Sequence, residues 1–358
     1  MRATLSCLCL LFLSFSLLKG EEGKCVMVTG GSGYLGRNVI RSLLKQNINV
    51  KAIGRSEKSR DTITELGAQA YPGDLTRTDL MAVASQGCDL IIHCAASVSQ
   101  FDDIETMRKI NVQGTRNVME AAIQAGVKRV VHVGTEAACV PHDGGPIVNL
   151  DESTPLPSPP FPGVYSTTKN EAERAALSYN GDKLEVVVVR PRLIWGKDDT
   201  VVLAGFVEAA ESGVLKWFDG GQYLTSTCHV DNVVEGIELA ASVGKPGESY
   251  FLTDGAPVEF RTFVSKMLGA VDVVPPSSEV PLSLLWGVAT VAEGVCSVLG
   301  CEPLITKQTL VLVGQEVTVN DSKARNEMGY VGHVSIEEGM RDLRERNVNN
   351  KNKNKAEL

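Results

Sequence analysis

Tyr165 and Lys169 stand four residues apart in Tyr165-Ser166-Thr167-Thr168-Lys169. On a helix that spacing puts a phenol and an ammonium on one face. A tyrosine of ordinary pKa, near 10, is a poor base at neutral pH, whereas a neighbouring cation favours the phenolate. The pair can therefore give or take a proton near pH 7, the task of a general acid/base. Thr135 lies upstream at the end of an apolar run, and its hydroxyl is placed to hold a substrate carbonyl or carbinol oxygen.

A second constellation binds rather than reacts. Thr29-Gly30-Gly31-Ser32-Gly33-Tyr34-Leu35-Gly36 closes an apolar run and opens a helical pattern. Gly30 permits a tight turn, Gly33 lets backbone approach a pyrophosphate, and Gly36 lets the helix pack close to the strand. The helix N-terminus, at Tyr34 and Leu35, then faces the anion. In a strand–turn–helix setting this reads as dinucleotide binding.

The next strand ends Ala52-Ile53-Gly54-Arg55-Ser56, without the acid that accepts from the ribose 2′-hydroxyl in an NAD site. Arg55, with Ser56 and Lys58 or Arg60 nearby, suits a 2′-phosphate through charge-assisted hydrogen bonds. NADP is therefore preferred over NAD. Asp74, in Gly73-Asp74-Leu75 after the third strand, is placed either to accept from the adenine amino group or to cap the next turn.

These groups need a scaffold. Strands are expected at Cys25–Thr29, Asn49–Ile53, Ala68–Tyr71, Asp89–His93, Arg129–Gly134 and Leu184–Val189. Helices are expected at Gly36–Gln46, Thr78–Ala84, Ile104–Gly126 and Ser166–Asn180. Repeated β-α-β with nearly all-apolar strands predicts an α/β fold, a doubly wound parallel sheet covered on both faces. Residues 24–190 form the expected dinucleotide-binding domain. Residues 191–346, where the alternation turns irregular, form a smaller substrate-binding region. The polar stretch 347–358 reads as a solvated, disordered tail.

Composition narrows the partners. A net charge of −8 gives no basic field to hold a polyanion, so nucleic acid is excluded as a partner. Nine cysteines without C-x-x-C or Cys/His metal spacing predict buried thiols and no metal site. Residues 1–20 have an early charge and an apolar run, the layout of a secretory signal peptide or an uncleaved signal-anchor. The final Lys355-Ala356-Glu357-Leu358 is one mismatch from K-D-E-L, and the two ends together point to the endoplasmic reticulum, in its lumen or on its membrane. The segment 281–299 is mostly apolar around Trp286, with one charge at Glu293. It reads as a pocket wall for a greasy substrate, a membrane contact, or plain core.

Taken in order, the glycine turn, Gly73-Asp74-Leu75, His93-Cys94-Ala95-Ala96, Asn111, Thr135, Tyr165/Lys169, Arg190-Pro191 and His229-Val230-Asp231-Asn232-Val233 resemble the extended short-chain dehydrogenases/reductases from Lys24 to about Leu343. The resemblance implies a Rossmann architecture and a catalytic set of Thr135, Tyr165 and Lys169, with Asn111 supporting a relay water. It also implies cofactor contacts at Leu75 and Ala95, and a Lys169 that hydrogen-bonds the nicotinamide ribose. It further implies dimers. One departure is Glu136 after Thr135, where relatives commonly carry consecutive Ser/Thr; a register slipped by one would put Glu136 in the hydroxyl position. The segment Arg190-Pro191-Arg192-Leu193-Ile194-Trp195-Gly196 looks like the R-P-x-x-I-x-G of the 3β-hydroxysteroid dehydrogenase/isomerase, or sterol dehydrogenase, branch. The expected activity is hydride transfer between NAD(P) and a secondary alcohol or ketone on a small apolar, sterol- or isoprenoid-like molecule. Two rivals are an NAD-dependent nucleotide-sugar epimerase or dehydratase and a non-catalytic dinucleotide sensor.

Overall fold

A computed structural model describes residues 24–356, except 100–101, 159–160, 302 and 304. Residues 1–20, read above as a signal peptide or anchor, and the terminal Glu357-Leu358 lie outside the described residues. Seven parallel strands form the central sheet: β1 (Cys25–Thr29), β2 (Asn49–Gly54), β3 (Gln69–Pro72), β4 (Leu90–His93), β5 (Arg129–Val133), β7 (Glu185–Pro191) and β9 (Ser249–Leu252). Their spatial order is β9-β7-β5-β4-β1-β2-β3. A smaller four-stranded sheet holds β6 (Ile147–Leu150), β8 (Leu224–Thr225), β10 (Val258–Glu259) and β11 (Val317–Val319).

Side chains alternate across the main sheet, and both faces are buried, as a parallel sheet requires. Val26, Val28, Ile92, Val131 and Val187 join one core with Val39, Ile40 and Leu43 of α1 (Tyr34–Lys45). Met27, Ile91, Val130 and Val186 join the opposite core, with Met81 of α3 (Thr78–Ser85) and Val118, Met119 and Ala122 of α4 (Gly114–Ala125). Strand order reverses between β1 and β4, and ligands of open α/β sheets bind in the crevice outside such a switch point.

Several expectations are corrected. The polar helix α2 (Glu57–Glu65) shows no clear pattern in sequence because it buries one residue, Ile63; Ser56 caps it by accepting from Ser59 N at 3.2 Å. The expected helix 104–126 contains a π-helical stretch, Arg108–Gln113. Cys25 is disulfide-bonded to Cys88, and Cys296 to Cys301, so these thiols are not free; Cys94, Cys139 and Cys228 are. The boundary at 190 does not separate the two sheets. β9, from the C-terminal half, pairs with β7 in the main sheet, while β6, from the N-terminal half, pairs with β11 in the small one.

The other helices are α5 (Val164–Leu177), before the boundary at 190, and, after it, α6 (Val202–Glu211), α7 (Val230–Ser242), α8 (Phe260–Ala270), α9 (Leu282–Leu299), α10 (Lys307–Val313), α11 (Ser322–Met328) and α12 (Ile336–Ala356). Instead of a disordered tail, α12 continues through residue 356. Helix α9 turns Trp286 inward against Gly144 and Val311, and leaves Leu284, Val288, Val291, Val295 and Leu299 exposed. No described helix is long and apolar enough to cross a membrane.

Candidate active site

The glycine turn follows β1 directly. Gly30 has φ +70°, and a Cβ there would meet the backbone N of Ala95 at 2.8 Å. A Cβ on Gly36 would collide with the Gly30 carbonyl, so the close packing of helix on strand excludes any side chain there. Gly33 is different: its added Cβ would meet only the Gly30 carbonyl oxygen, at 3.2 Å, which leaves that face of the turn open to a ligand. From this turn a cavity of about 600 Å³ extends past Ala95 to Arg55, Ser59, Asp74 and Leu75. In the other direction a cavity of about 520 Å³ passes Tyr34, Leu35 and Gly36 to Thr135, Tyr165 and Lys169. Both cavities touch Gly30, Gly33 and Ala96. The trough thus runs from the end of β2, over a helix N-terminus, to the phenol and the ammonium. It fits an extended dinucleotide with its pyrophosphate at the turn.

At the far end Arg55 is exposed and Asp74 faces the same cavity. Asp74 Oδ1 accepts from Thr76 N at 2.7 Å and from Thr76 Oγ1 at 2.5 Å, so this carboxylate ties a turn. The Thr76 hydroxyl bond is the main influence holding its pKa below the usual carboxylate range. Ser56 is spent on the α2 cap, and Arg60 donates weakly to Gly54 O at 3.4 Å. Leu75 abuts Gly114, whose added Cβ would come within 2.9 Å of it. Ala95 N donates to Thr29 Oγ1 at 3.2 Å, which fixes the loop after β4 against the end of β1.

At the reactive end Thr135 caps the 3-10 turn Glu136–Cys139, and Tyr165, the second residue of α5, lines the same cavity. Lys169, buried one turn on, donates from Nζ to the Val133 carbonyl at 2.9 Å. Burial pushes its pKa down to about 8 against the opposing pull of Glu173 and Cys94. The Tyr165 pKa is raised, first by burial and then by the Glu136 charge; the Thr135 hydrogen bond and Arg192 oppose this. The expectation that Lys169 lowers the phenol pKa is therefore corrected for this state of the protein. The ammonium is engaged with backbone, and the charges acting on Tyr165 are those of Glu136 and Arg192.

Asn111 stands apart from this group. Its Oδ1 accepts from Ser97 N at 2.7 Å, and its Nδ2 donates to Ser97 O at 3.0 Å and to Thr168 Oγ1 at 3.1 Å. It clamps the loop after β4 to α5, and every polar atom of its amide is occupied by protein. Thr135 and Glu136 both line the reactive cavity beside Tyr165, and the Thr135 hydroxyl donates to Glu136 Oε2 at 2.7 Å.

Sequence reasoning missed Arg192 and Gln308 here, and it weighed Glu136 only as an occupant of the hydroxyl position, not as half of an ion pair. Glu136 and Arg192 form a buried ion pair, Nη1 to Oε1 at 2.8 Å, beside the phenol. Gln308 of α10 accepts from Tyr165 N at 2.8 Å and so anchors the first turn of α5. Adjacency to Thr135 and to Arg190-Pro191 hinted at the first two. Gln308, 143 residues from Tyr165, carried no local signal.

A Rossmann sheet with a dinucleotide trough that ends at a phenol, a hydroxyl and an ammonium defines a nicotinamide-dependent oxidoreductase. The chain belongs to the 3-beta hydroxysteroid dehydrogenase/isomerase family, whose model matches residues 27–283. It is 43% identical over 320 residues to a 4-hydroxy-2-methyl-3-oxo-4-farnesyl-3,4-dihydroquinoline-1-oxide ketoreductase of Stigmatella aurantiaca, covering 89% of this chain and 95% of that one. It is 30% identical to the decarboxylating sterol-4-alpha-carboxylate 3-dehydrogenase of Dictyostelium discoideum, covering 89% of this chain and all of the relative. Among solved structures, that of gox2253 matches with a TM-score of 0.69 and 29% identity over 90% of this chain and 98% of its own. A dTDP-glucose 4,6-dehydratase from Streptomyces venezuelae with NAD bound matches with a TM-score of 0.71 over 92% of this chain and 98% of its own; at 23% identity it speaks for the fold alone.

Proposed function

We propose that the protein interconverts a ketone and a secondary alcohol on an apolar, sterol- or isoprenoid-like molecule, with NADP(H) preferred over NAD(H). The observation that carries this reading is the reactive cavity itself: Tyr165, Thr135 and Lys169 share it with an apolar wall that includes Val98, Leu193, Ile194, Val202 and Leu312. Such a wall suits a greasy skeleton whose one polar atom reaches Tyr165. The names of the two relatives above, a ketoreductase of a farnesyl-bearing quinoline and a sterol carboxylate dehydrogenase, support that class. When bound, the nicotinamide supplies the hydride. The chain supplies the cradle at Gly30, Gly33 and Gly36, the proton at Tyr165 and the apolar enclosure. For the cofactor, the support is Arg55 on the cavity wall at the end of β2, where a carboxylate would select NAD.

The test is a panel of sterols, isoprenoid alcohols and the matching ketones with both nicotinamides, followed by absorbance of the reduced cofactor. Turnover by the wild type, reduced on the order of 10²–10⁴-fold in Tyr165→Phe with dinucleotide binding intact, is the expected result. Unchanged turnover in Tyr165→Phe refutes the assigned role.

The reading extends to location. Leu284, Val288, Val291, Val295 and Leu299 make an exposed aliphatic stripe on α9, which packs on α10; Leu312 and Val313 of α10 wall the reactive cavity. A bilayer surface against that stripe would bring an apolar substrate beside the cavity. The N-terminal apolar run, the K-x-E-L end and the two disulfides support the endoplasmic reticulum, where disulfides persist. Flotation with phosphatidylcholine vesicles, lost in Val288→Asp with Val291→Asp, and protease protection in microsomes are the checks. A wild type that stays with the soluble fraction in both sinks this extension.

A further inference from the structure

Of all the asparagines in the chain, only Asn320 stands two residues before a serine or threonine with no proline between, in Asn320-Asp321-Ser322. That is the acceptor pattern for an N-linked sugar, and as a bare pattern it arises easily by chance. The fold adds where the three side chains go. The tripeptide leaves β11 and enters α11. Asp321 turns inward: it is 8% exposed, accepts from Arg325 Nε and Nη2, each at 2.8 Å, and accepts from Thr253 Oγ1 at 2.7 Å. Asn320 is half-buried and Ser322 is exposed. The middle residue anchors the segment, and the asparagine and serine that define an acceptor flank it at the surface.

The Asn320 amide is half spent. Its Oδ1 accepts from Ser322 N at 2.9 Å, whereas its Nδ2 has no hydrogen-bond partner among the described residues. The oxygen is held, and the nitrogen, the atom that takes a sugar, is left over. Asn320 lines a polar groove of about 410 Å³ with Asp151, Ser153, Glu248, Ser322 and Lys323. None of the groove's residues lines the dinucleotide trough or the reactive cavity, and none belongs to α9. Room for a polar group therefore stands beside the free amide nitrogen, away from the cofactor, the substrate and the aliphatic stripe.

We propose that Asn320 is an N-glycosylation site and carries one oligosaccharide through N-acetylglucosamine. This rests on the endoplasmic-reticulum reading above and adds a side to it: the folded domain lies in the lumen, where the sugar donor is used. The two disulfides, Cys25 to Cys88 and Cys296 to Cys301, favour the same side, because they persist in an oxidising compartment. In the transfer an N–H bond of Nδ2 breaks, and Nδ2 bonds C1 of a sugar carried on a lipid pyrophosphate. The C1–O bond to that carrier breaks, the pyrophosphate leaves with the electron pair, and the transferase takes the proton. Nothing is oxidised or reduced. The transferase reads the tripeptide; the folded chain need only leave the sugar room, and the groove does so.

The experiment is translation of the full chain with endoplasmic-reticulum microsomes, read by electrophoresis before and after endoglycosidase H. The wild type should show a single upward step in mass that the endoglycosidase removes. Asn320→Gln and Ser322→Ala should each abolish the step, and Ser322→Thr, which keeps the acceptor pattern, should retain it. Protease digestion of the same microsomes locates the domain without reference to any sugar. A protected wild type with no endoglycosidase-sensitive step overturns the glycan and leaves the location standing. An unprotected wild type overturns the location, and the glycan with it. A step that persists in Asn320→Gln puts the sugar elsewhere and also overturns the proposal.

Discussion

The Lys169 ammonium donates across the floor of the reactive cavity to the main-chain carbonyl of Val133, 2.9 Å away. A buried cation held by a neutral acceptor is poorly compensated, and burial accordingly pushes its pKa down to about 8. The carbonyl belongs to the last residue of β5, so the same contact ties α5 to the sheet beside Thr135.

Lys169→Met should separate stability from activity. In the unfolded chain this lysine titrates near 10.4, so between about pH 8 and 10.4 the folded state binds fewer protons, and the wild type gains stability as pH rises through that window. Below it the buried charge is a penalty. The methionine variant is expected to be more stable than wild type at pH 7 by about 1–2 kcal/mol, with the difference shrinking toward pH 10. Turnover should fall on the order of 10²-fold or more. Urea unfolding at pH 7 and pH 10, beside steady-state rates, checks both; a variant less stable at pH 7 contradicts the sign.

The strands and the glycine turn were legible because each signal is local: an apolar run, a turn glycine, a helical period. Cys25–Thr29 falls where the sequence puts it, and Asn49–Gly54 and Arg129–Val133 fall within a residue of the expected ends. Helix α2 was not legible, because a solvated helix that buries only Ile63 shows little periodicity. The partners of Tyr165 were legible only in part. Lys169 is one turn away, but Glu136, Arg192 and Gln308 reach the phenol or its backbone from three other elements, and no spacing rule joins residues so far apart. The chemistry of Lys169 was misjudged for a related reason. Sequence shows an ammonium near a phenol; it does not show the Val133 carbonyl that accepts the ammonium's hydrogen bond.

Arg55→Ala should weaken NADP(H) more than NAD(H). The side chain is exposed, so a 2′-phosphate contact there is solvent-screened and is worth about 1–2 kcal/mol, roughly 10-fold in affinity. Fluorescence titration of both reduced cofactors measures it. Equal loss for both removes the reason to prefer NADP.

Gln308 tests how far positioning controls the phenol. Its Oε1 accepts from the Tyr165 backbone N at 2.8 Å, and a Cβ on Gly163 would collide with it, so α10 and the start of α5 fit each other closely. Gln308→Ala leaves that N–H unpaired and loosens the first turn. A fall in kcat of about 10-fold, with dinucleotide affinity unchanged, is expected. Gln308→Glu keeps the acceptor and should retain most of the rate. Loss of dinucleotide binding in either variant points instead to general disruption.

Behind Lys169, Glu173 is fully buried and accepts from Arg190 through Nε and Nη2 and from Ser249 Oγ. Removing one member of such a pair strands the other charge, at a cost of about 3–5 kcal/mol, whereas replacing both with apolar residues costs far less. Arg190→Met should therefore unfold at much lower urea than wild type, and Glu173→Met with Arg190→Met should recover most of the loss. The pair also reaches the chemistry. Glu173 raises the Lys169 pKa against burial, so the double variant should titrate Lys169 below about 8 and lose the ammonium at a lower pH than the wild type. Its stability and its activity would then part company: a folded protein whose reduction rate falls off at lower pH than the wild type's. Recovery of both together would mean that Glu173 acts on the fold alone.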